Sequence, residues 1–426
     1  MNVLLLTQVL PYPPDSGPKV KTWNVLKYLA QHHQVTLVSF VRGDQSDDVR
    51  RLEKYCRAVY TVPLQRGVWH DLGYMGLSLL KNEPFLMVRD DRAAMRGLVD
   101  RLALETRFDI AHADQTNMAQ YAARVAGARK VLDAHNALWL LYRRLWETTG
   151  PGLRKWLLGR DYRLLKRYEG RVCRDFDAVL AVSEEDRKAL EKAAGRPLDV
   201  TVIPIAVDTD EVQVVQREAE PRHILHIGTM YWPPNIDAVR WFVQAIYPLI
   251  HQQRPDVEFD VVGARPPAEL LALNDAGLGI NVTGYVADPT PYQRRAAVMV
   301  VPLLAGGGMR VKILNALAEG IPIVSTTLGY EGIDVAPGRD ILVGDTPKAF
   351  AAEVLRVLDD PGLGKQLATR GRTLVEEKYS YRYACRPLDE VYARAAARSG
   401  MDVVNRGTGY TPERQERQTT DRVRSV

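Results

Sequence analysis

At 426 residues the chain is too long for one hydrophobic core and fits two domains of roughly 200 residues each. Its 46% hydrophobic and 26% charged residues are ordinary for a soluble α/β protein, and a net charge of +5 is too mild to argue for a nucleic-acid partner. Cys56, Cys173 and Cys385 lie far apart without CxxC spacing, which argues against a disulfide framework or a cysteine zinc site.

The opening MNVLLLTQVLPYPP has a short apolar run and no basic lead, so it is expected to form a buried strand rather than a signal peptide. No apolar run approaches the roughly 18 residues of a spanning helix. The first half repeats a strand–loop–helix rhythm. Strands are expected at Asn2–Thr7, Val35–Val41, Ala58–Pro63, Ile110–His112, Lys130–Asp133, Ala178–Val182 and Val200–Ile203, with a helix over Val20–His32. Continuous apolar runs alternating with helical patterns predict a mostly parallel sheet covered on both faces. No GxGxxG follows the first strand; only Gly17 is available there, so this half is not the usual dinucleotide site.

Pro204 to Arg222 loses apolar periodicity and gains charge, as an interdomain linker does. The rhythm restarts with strand Ile224–Gly228, helix Ile236–Gln253, strand Val257–Val262, helix Ala268–Leu273, strand Asn281–Tyr285 and a helix near Tyr292–Ala297. The stretch PLLAGGGMRVKILNALAEGIPIVST (302–326) then reads as strand end, glycine loop, helix and next strand. Three glycines let the backbone approach a ligand. The helix starting near Met309 or Arg310 aims unpaired N–H groups at them, and Arg310 and Lys312 add two charges. A glycine-lined cationic helix start after a parallel strand points to an anion, most plainly a diphosphate. Further helices are expected over Pro347–Leu358, Gly362–Lys378 and Pro387–Arg398, the last returning towards the first domain.

The expected division is a first Rossmann-like domain over 1–205, a linker over 206–222, a donor domain over 223–385 and a returning helix over 386–400. Residues 401–426, rich in Arg, Thr, Gln and Glu, are expected to be a disordered tail. Two stretches break the rhythm. Residues 67–85 are apolar and aromatic with few charges, and residues 137–174 set three tryptophans among many arginines and lysines against only Glu147, Asp161 and Glu169. Solvated helix faces account for both; so does a surface for anionic lipid.

Two such domains present their strand ends to a shared cleft, where ligands bind. Asp133 and His135 follow a strand in the first domain and are the candidate catalytic pair. No clustered Asp or His pattern asks for Mg²⁺ or Mn²⁺, so neither metal nor cofactor is expected.

The ordered set GTMYWPPNIDAVRWF, VTGYVADPTPY and GGGMRVKILNALAEGIPIVST resembles the donor half of the retaining nucleotide-sugar glycosyltransferases of the GT-B fold. The likeness is to the family 4-like branch often found in bacterial polysaccharide clusters. PYPPDSG, VLDAHN and VSEEDR in the first half agree with it. The resemblance implies that His135 contacts the donor sugar near the reacting carbon. It puts Gly228 and Thr229 at a donor-binding turn, the Gly284–Val286 backbone, with Tyr285, at the nucleobase, and Gly307, Gly308, Met309 and Arg310 around the diphosphate. Glu331 approaches the nucleotide or sugar, and Ser16 and Gly17 lie in the acceptor-side loop. The chain departs from the pattern where Thr229 and Asn235 replace an arginine and a lysine that hold phosphates. Gly307 and Asn315 stand where a pair of glutamates is common; Arg310 and Lys312 can replace the missing cations.

The expected protein is thus a metal-independent, retaining hexosyltransferase-type enzyme with two doubly wound domains facing across a cleft. Its partners would be a nucleoside diphosphate sugar and a glycan or lipid-linked acceptor, not nucleic acid. It would be cytoplasmic, with a peripheral place on an anionic membrane surface, the inner face of the plasma membrane, left open. A nucleotide-sugar epimerase and a catalytically silent nucleotide-sugar-binding scaffold are the alternatives.

Overall fold

Runs of Val, Leu and Ile that are apolar on both faces become inner strands of parallel sheets, because helices cover them on each side. The computed structural model describes residues 1–306 and 308–397; Gly307 and the stretch expected to be a disordered tail lie outside the described residues. The first sheet has seven parallel strands: β1 (Asn2–Thr7), β2 (Gln34–Val41), β3 (Ala58–Pro63), β4 (Ile110–Asp114), β5 (Arg129–Ala134), β6 (Ala178–Ala181) and β7 (Val200–Val202). Their order is β3-β2-β1-β4-β5-β6-β7, with Leu4 of β1 opposite Thr36 and Ala111. The second has six: β8 (His223–Ile227), β9 (Glu258–Val262), β10 (Ile280–Gly284), β11 (Ala296–Val301), β12 (Ile323–Ser325) and β13 (Leu342–Val343), in the order β10-β9-β8-β11-β12-β13. Each order reverses once, between β1 and β4 and between β8 and β11, which opens a crevice at the strand ends. The expected pair of doubly wound parallel sheets is present.

Six helices shape the cleft, the domain junction and the outer surface: α1 (Gly17–His32), α2 (Val68–Lys81), α3 (Leu138–Thr148), α4 (Leu153–Asp175), α5 (Val311–Ala318) and α6 (Pro387–Ala397). The helix expected over 236–253 runs as Pro233–Trp241, a wider π-type turn over Phe242–Ile246, and Tyr247–His251. Pro248 is the reason: it has no N–H to donate, and its ring would strike the carbonyl one turn back, so the coil loosens before it. Ala296 and Ala297, expected at a helix end, open β11 instead, with Ala296 paired to His223 and both alanines buried. Sheet pairing outweighs the weak helical preference of two residues.

After the second domain the chain crosses back. Val207 accepts from the Tyr381 N–H and donates to the Tyr379 carbonyl, so outgoing and returning strands run side by side. Leu388, Val391, Tyr392 and Ala395 of α6 then bury themselves with Leu5, Leu29 and Val131 in the core of the first domain. Leu388→Ala is therefore expected to lower stability by about 2–4 kcal/mol, read as a lower urea midpoint; an unchanged midpoint would contradict this packing.

Candidate active site

In the first domain, β4 and β5 end side by side with Asp114 and Asp133 in register. Both are buried, and an isolated buried carboxylate is unstable. Lys21 of α1, itself buried, forms an ion pair with Asp133. Burial alone would raise the Asp133 pKa; the Lys21 charge and the neighbouring His112 and His135 instead hold it well below the usual carboxylate range. Asp114 accepts from Thr22 Oγ1 at 2.9 Å and bonds His135 Nε2 at 2.9 Å, which fixes the ring. One donor atom from each of Asp114, Asp133 and His135 lies within 4.8 Å of the others, a spacing a cation could use. Lys21 already supplies a positive charge there.

The loop after His135 is pinned by acids from elsewhere in the domain. Asp186 accepts from the Ala137 N–H at 2.9 Å, and Glu169 accepts from the Leu138 and Trp139 N–H groups at 2.9 and 2.8 Å. Glu169 thereby caps the start of α3, where a negative charge meets the helix dipole. Burial nevertheless pushes its pKa up to about 7.

In the second domain the turn after β8 and the start of α5 form one cationic pocket. Lys312 Nζ donates to Asn235 Oδ1 at 3.0 Å, and Asn235 Nδ2 donates to the Thr229 carbonyl at 2.9 Å. A Cβ at Gly228 would lie 3.0 Å from both Lys312 Nζ and Asn235 Nδ2, so any other residue would press on the ammonium and its partner. Burial, reinforced by the charge of Arg310, pushes the Lys312 pKa down to about 7. Arg310 donates to the Gly308 carbonyl at 2.9 Å. Its pKa also lies below the usual value, through burial and the charge of Arg144, with Glu331 opposing. The Arg310 side chain at the start of α5 does not cap it, which leaves the leading N–H groups of the helix to other partners.

The two halves meet. Gly308 has φ +83° and faces the His135 loop so closely that a Cβ there would lie 2.8 Å from Asn136 Oδ1. Gly17 faces Val311 at ordinary contact distance, where a Cβ would be 3.4 Å away. Arg144 of α3 reaches across to Glu331 at 3.2 Å while also pairing with Glu185 of its own domain at 2.6 Å. Between them, Asn136, Leu140, Arg144, Ser183, Gly308 and Glu331 enclose a cavity of only about 20 Å³. That is space for about one water.

The family model described as Glycosyltransferase Family 4 matches residues 16–211, and that described as Glycosyl transferases group 1 matches residues 221–360. The chain belongs to these glycosyltransferases. It is 19% identical over 397 residues to an uncharacterised 44.6 kDa protein in the cps region of Klebsiella pneumoniae, covering 89% of this chain and 96% of that one. Among solved structures, sucrose-phosphate synthase from Thermosynechococcus elongatus has a TM-score of 0.68 at 14% identity, covering 93% of this chain and all of that one. Anabaena Alr3699/HepE in complex with UDP has a TM-score of 0.65 at 14% identity, covering 92% and 100%. These likenesses establish the GT-B fold.

Within this glycosyltransferase, most of the expected site residues converge. Asp133 and His135 stand across the cleft from Gly308, Met309, Arg310 and Glu331, and Gly228, Thr229, Asn235 and Lys312 adjoin the latter group. Gly307 lies outside the described residues. Asn315 is one turn further along α5 and half-buried. Gly284, at φ +79°, and the exposed Tyr285 sit at the end of β10, two strands from β8. Ser16 is the exposed residue before α1, which places Gly17 against α5.

Sequence reasoning missed Lys21, Arg144, Glu169 and Glu185. Lys21 had a legible signal: it shares the inward stripe of α1 with Val25, Tyr28 and Leu29, and a charge on such a stripe needs a buried partner. Arg144 had none, since only the fold brings Glu331 to it. The partly exposed Arg144 pair contributes at most about 1 kcal/mol, so Arg144→Ala should barely change unfolding. It should instead favour parted domains, seen as a larger radius of gyration in small-angle X-ray scattering; an identical profile would mean the pair does not latch the cleft.

Proposed function

We propose that this glycosyltransferase moves a sugar from a nucleoside diphosphate sugar to a glycan or lipid-linked acceptor, retaining the anomeric configuration and using no metal ion. One observation carries the reading: Lys312 is held beside Arg310 at an uncapped helix start, and its hydrogen-bond partner is the neutral Asn235. Positive charge so placed suits a ligand with concentrated negative charge, and the leaving diphosphate has it. Arg310, Lys312 and the N–H groups of α5 would stabilise that charge as the sugar bond breaks. They take the places of the cations absent at Thr229 and Asn235.

The complexes of Anabaena Alr3699/HepE with UDP and with UDP-glucose support a nucleotide-sugar donor by analogy of fold. The sugar then lies towards the first domain. His135, its Nε2 held by Asp114, has Nδ1 buried and without a partner among the described residues, where it could bond a sugar hydroxyl. Asp133, neutralised by Lys21, would orient this end of the site rather than carry protons. Closure across Gly308 and Asn136 keeps water from the donor. An acceptor assembled on lipid would put the enzyme at the cytoplasmic face of a membrane, working in polysaccharide assembly. Incubation with a panel of nucleotide sugars tests the reading: slow release of nucleoside diphosphate from one donor is expected, and no release from any would overturn it.

The Lys312 pKa sets a pH dependence. A bound diphosphate stabilises the ammonium, so its pKa rises on binding and a proton is taken up wherever the free amine is neutral. UDP affinity should level off below about pH 7 and fall by up to about tenfold per unit above it. Calorimetry between about pH 7.5 and 9, where the terminal phosphate stays ionised, reads this slope. Lys312→Met should flatten it; the same slope in the variant would assign the proton elsewhere.

His135→Ala is expected to lower turnover far more than donor affinity, because His135 belongs to the domain opposite the diphosphate pocket. Equal losses in kcat/KM and in donor Kd would leave it only a holding role.

A further inference from the structure

We propose that α2 is a membrane-docking element that lies in the surface of an anionic bilayer, with the outer face of α4 beside it. The helix has 14 residues, VWHDLGYMGLSLLK, of which Ser78 alone is fully buried. Its apolar side chains face outward: Trp69 is 85% exposed, Leu80 86%, Val68 76% and Leu72 57%. A helix this apolar on the outside of a domain exposes a patch that water disfavours. The domain grips it from beneath at few points. Tyr74 lies on the Arg92 guanidinium at 4.5 Å, and Ser78 Oγ accepts from Arg160 of α4 at 3.1 Å while donating to the Glu83 carbonyl at 2.6 Å.

Arg160 joins α4 to α2 through Ser78, on the side of α2 opposite its exposed leucines. Trp156 is one turn before it and on the same face, 58% exposed, and Leu153 beyond is 73% exposed. In the other direction the same face continues to Arg163 and Arg167, both exposed. Among the described residues no carboxylate pairs with Arg154, Arg163 or Arg167, and the Asp161 of that helix turns inward to Arg160 and the Phe85 N–H. The domain surface thus carries an apolar blade with Trp69 on α2 and, on α4, a stripe that holds Trp156 and guanidinium groups without a carboxylate partner among the described residues. Trp favours headgroup depth, acyl chains take the leucines, and anionic headgroups meet the arginines. No described helix is long and apolar enough to cross a membrane, so α2 would lie along the interface. The α3–α4 hairpin ties this surface to the cleft, because α3 carries Arg144.

The proposal deepens the lipid-linked-acceptor reading and rests on it for the choice of a bilayer as occupant. Its test therefore reads binding without turnover. The full chain is floated with vesicles of phosphatidylcholine alone and with phosphatidylglycerol added, at low and at high salt. Wild type should float with the anionic vesicles and be released by salt. The triple variant Trp69→Ser, Leu72→Ser, Leu80→Ser changes only exposed side chains and should fold, checked by its melting curve, yet bind at least about tenfold more weakly. The triple variant Arg154→Glu, Arg163→Glu, Arg167→Glu should lose roughly hundredfold at low salt. Tryptophan fluorescence quenched by brominated lipid in wild type, and less so in Trp69→Phe, places the helix at the acyl boundary. Flotation with neither vesicle overturns the proposal, as does unchanged binding by the serine variant. A wild-type dimer that the serine variant abolishes would overturn it in favour of a second copy on this surface. Slow nucleoside diphosphate release without vesicles separates the two readings: if it persists while flotation fails, the transferase reading stands and docking falls. Flotation without any donor turnover leaves docking and removes the transferase.

Discussion

A lysine ammonium held close under a backbone turn constrains everything around it. Gly228 leaves Lys312 close room because it has no Cβ, and Asn235 offers the ammonium an oxygen without a charge. An acid at 235 would form a standing ion pair that a phosphate would have to displace, and removing one partner of a buried pair is costly. His226, buried beneath, is held neutral because burial and the Lys312 charge push its pKa well below the ordinary value. Among the described residues the hydrogen-bond partner of the ammonium is thus neutral, and the charge acting on it, Arg310, is of its own sign.

The opposite half of the cleft solves the reverse problem. Asp133 is equally cut off from water, yet its countercharge is built in as Lys21, and Asp114 is held between Thr22 and His135. One half is balanced internally, whereas in the other the Lys312 ammonium meets the neutral Asn235. On the proposed reading this asymmetry would orient a donor, phosphates towards α5 and sugar towards β4 and β5. On the same reading Arg310 and Lys312 would supply the positive charge that Thr229 and Asn235 do not.

Closure adds a third electrostatic device. Arg144 is shared between Glu185 on its own domain and Glu331 across the cleft, and burial together with the nearby Glu331 raises the Glu185 pKa. Two acids compete for one base and the bridge is partly exposed, so it is easily exchanged. Because α3 leads directly into α4, the same hairpin carries the cleft contact at one end and the tryptophan- and arginine-bearing outer face at the other.

The alternation of apolar runs and helical stripes determined both parallel sheets, since strands buried on two faces need continuous apolar residues and leave little choice of period. The glycine loop, the cationic start of α5 and the place of His135 after β5 were legible for the same reason: each depends on residues adjacent in the chain. Chain-local signals failed where distant segments compete. Ala296 and Ala297 joined β11 because His223 lies beside it, and Pro248 loosened a helix whose stripe looked unbroken. Only the tertiary structure decided that Lys21 neutralises Asp133 from 112 residues away and that Glu169 caps α3. It likewise decided that Arg144 meets Glu331 and that α2 turns its leucines outward. Charge pairing and exposure are set by through-space distance, and a chain acquires such distances only after its sheets have folded.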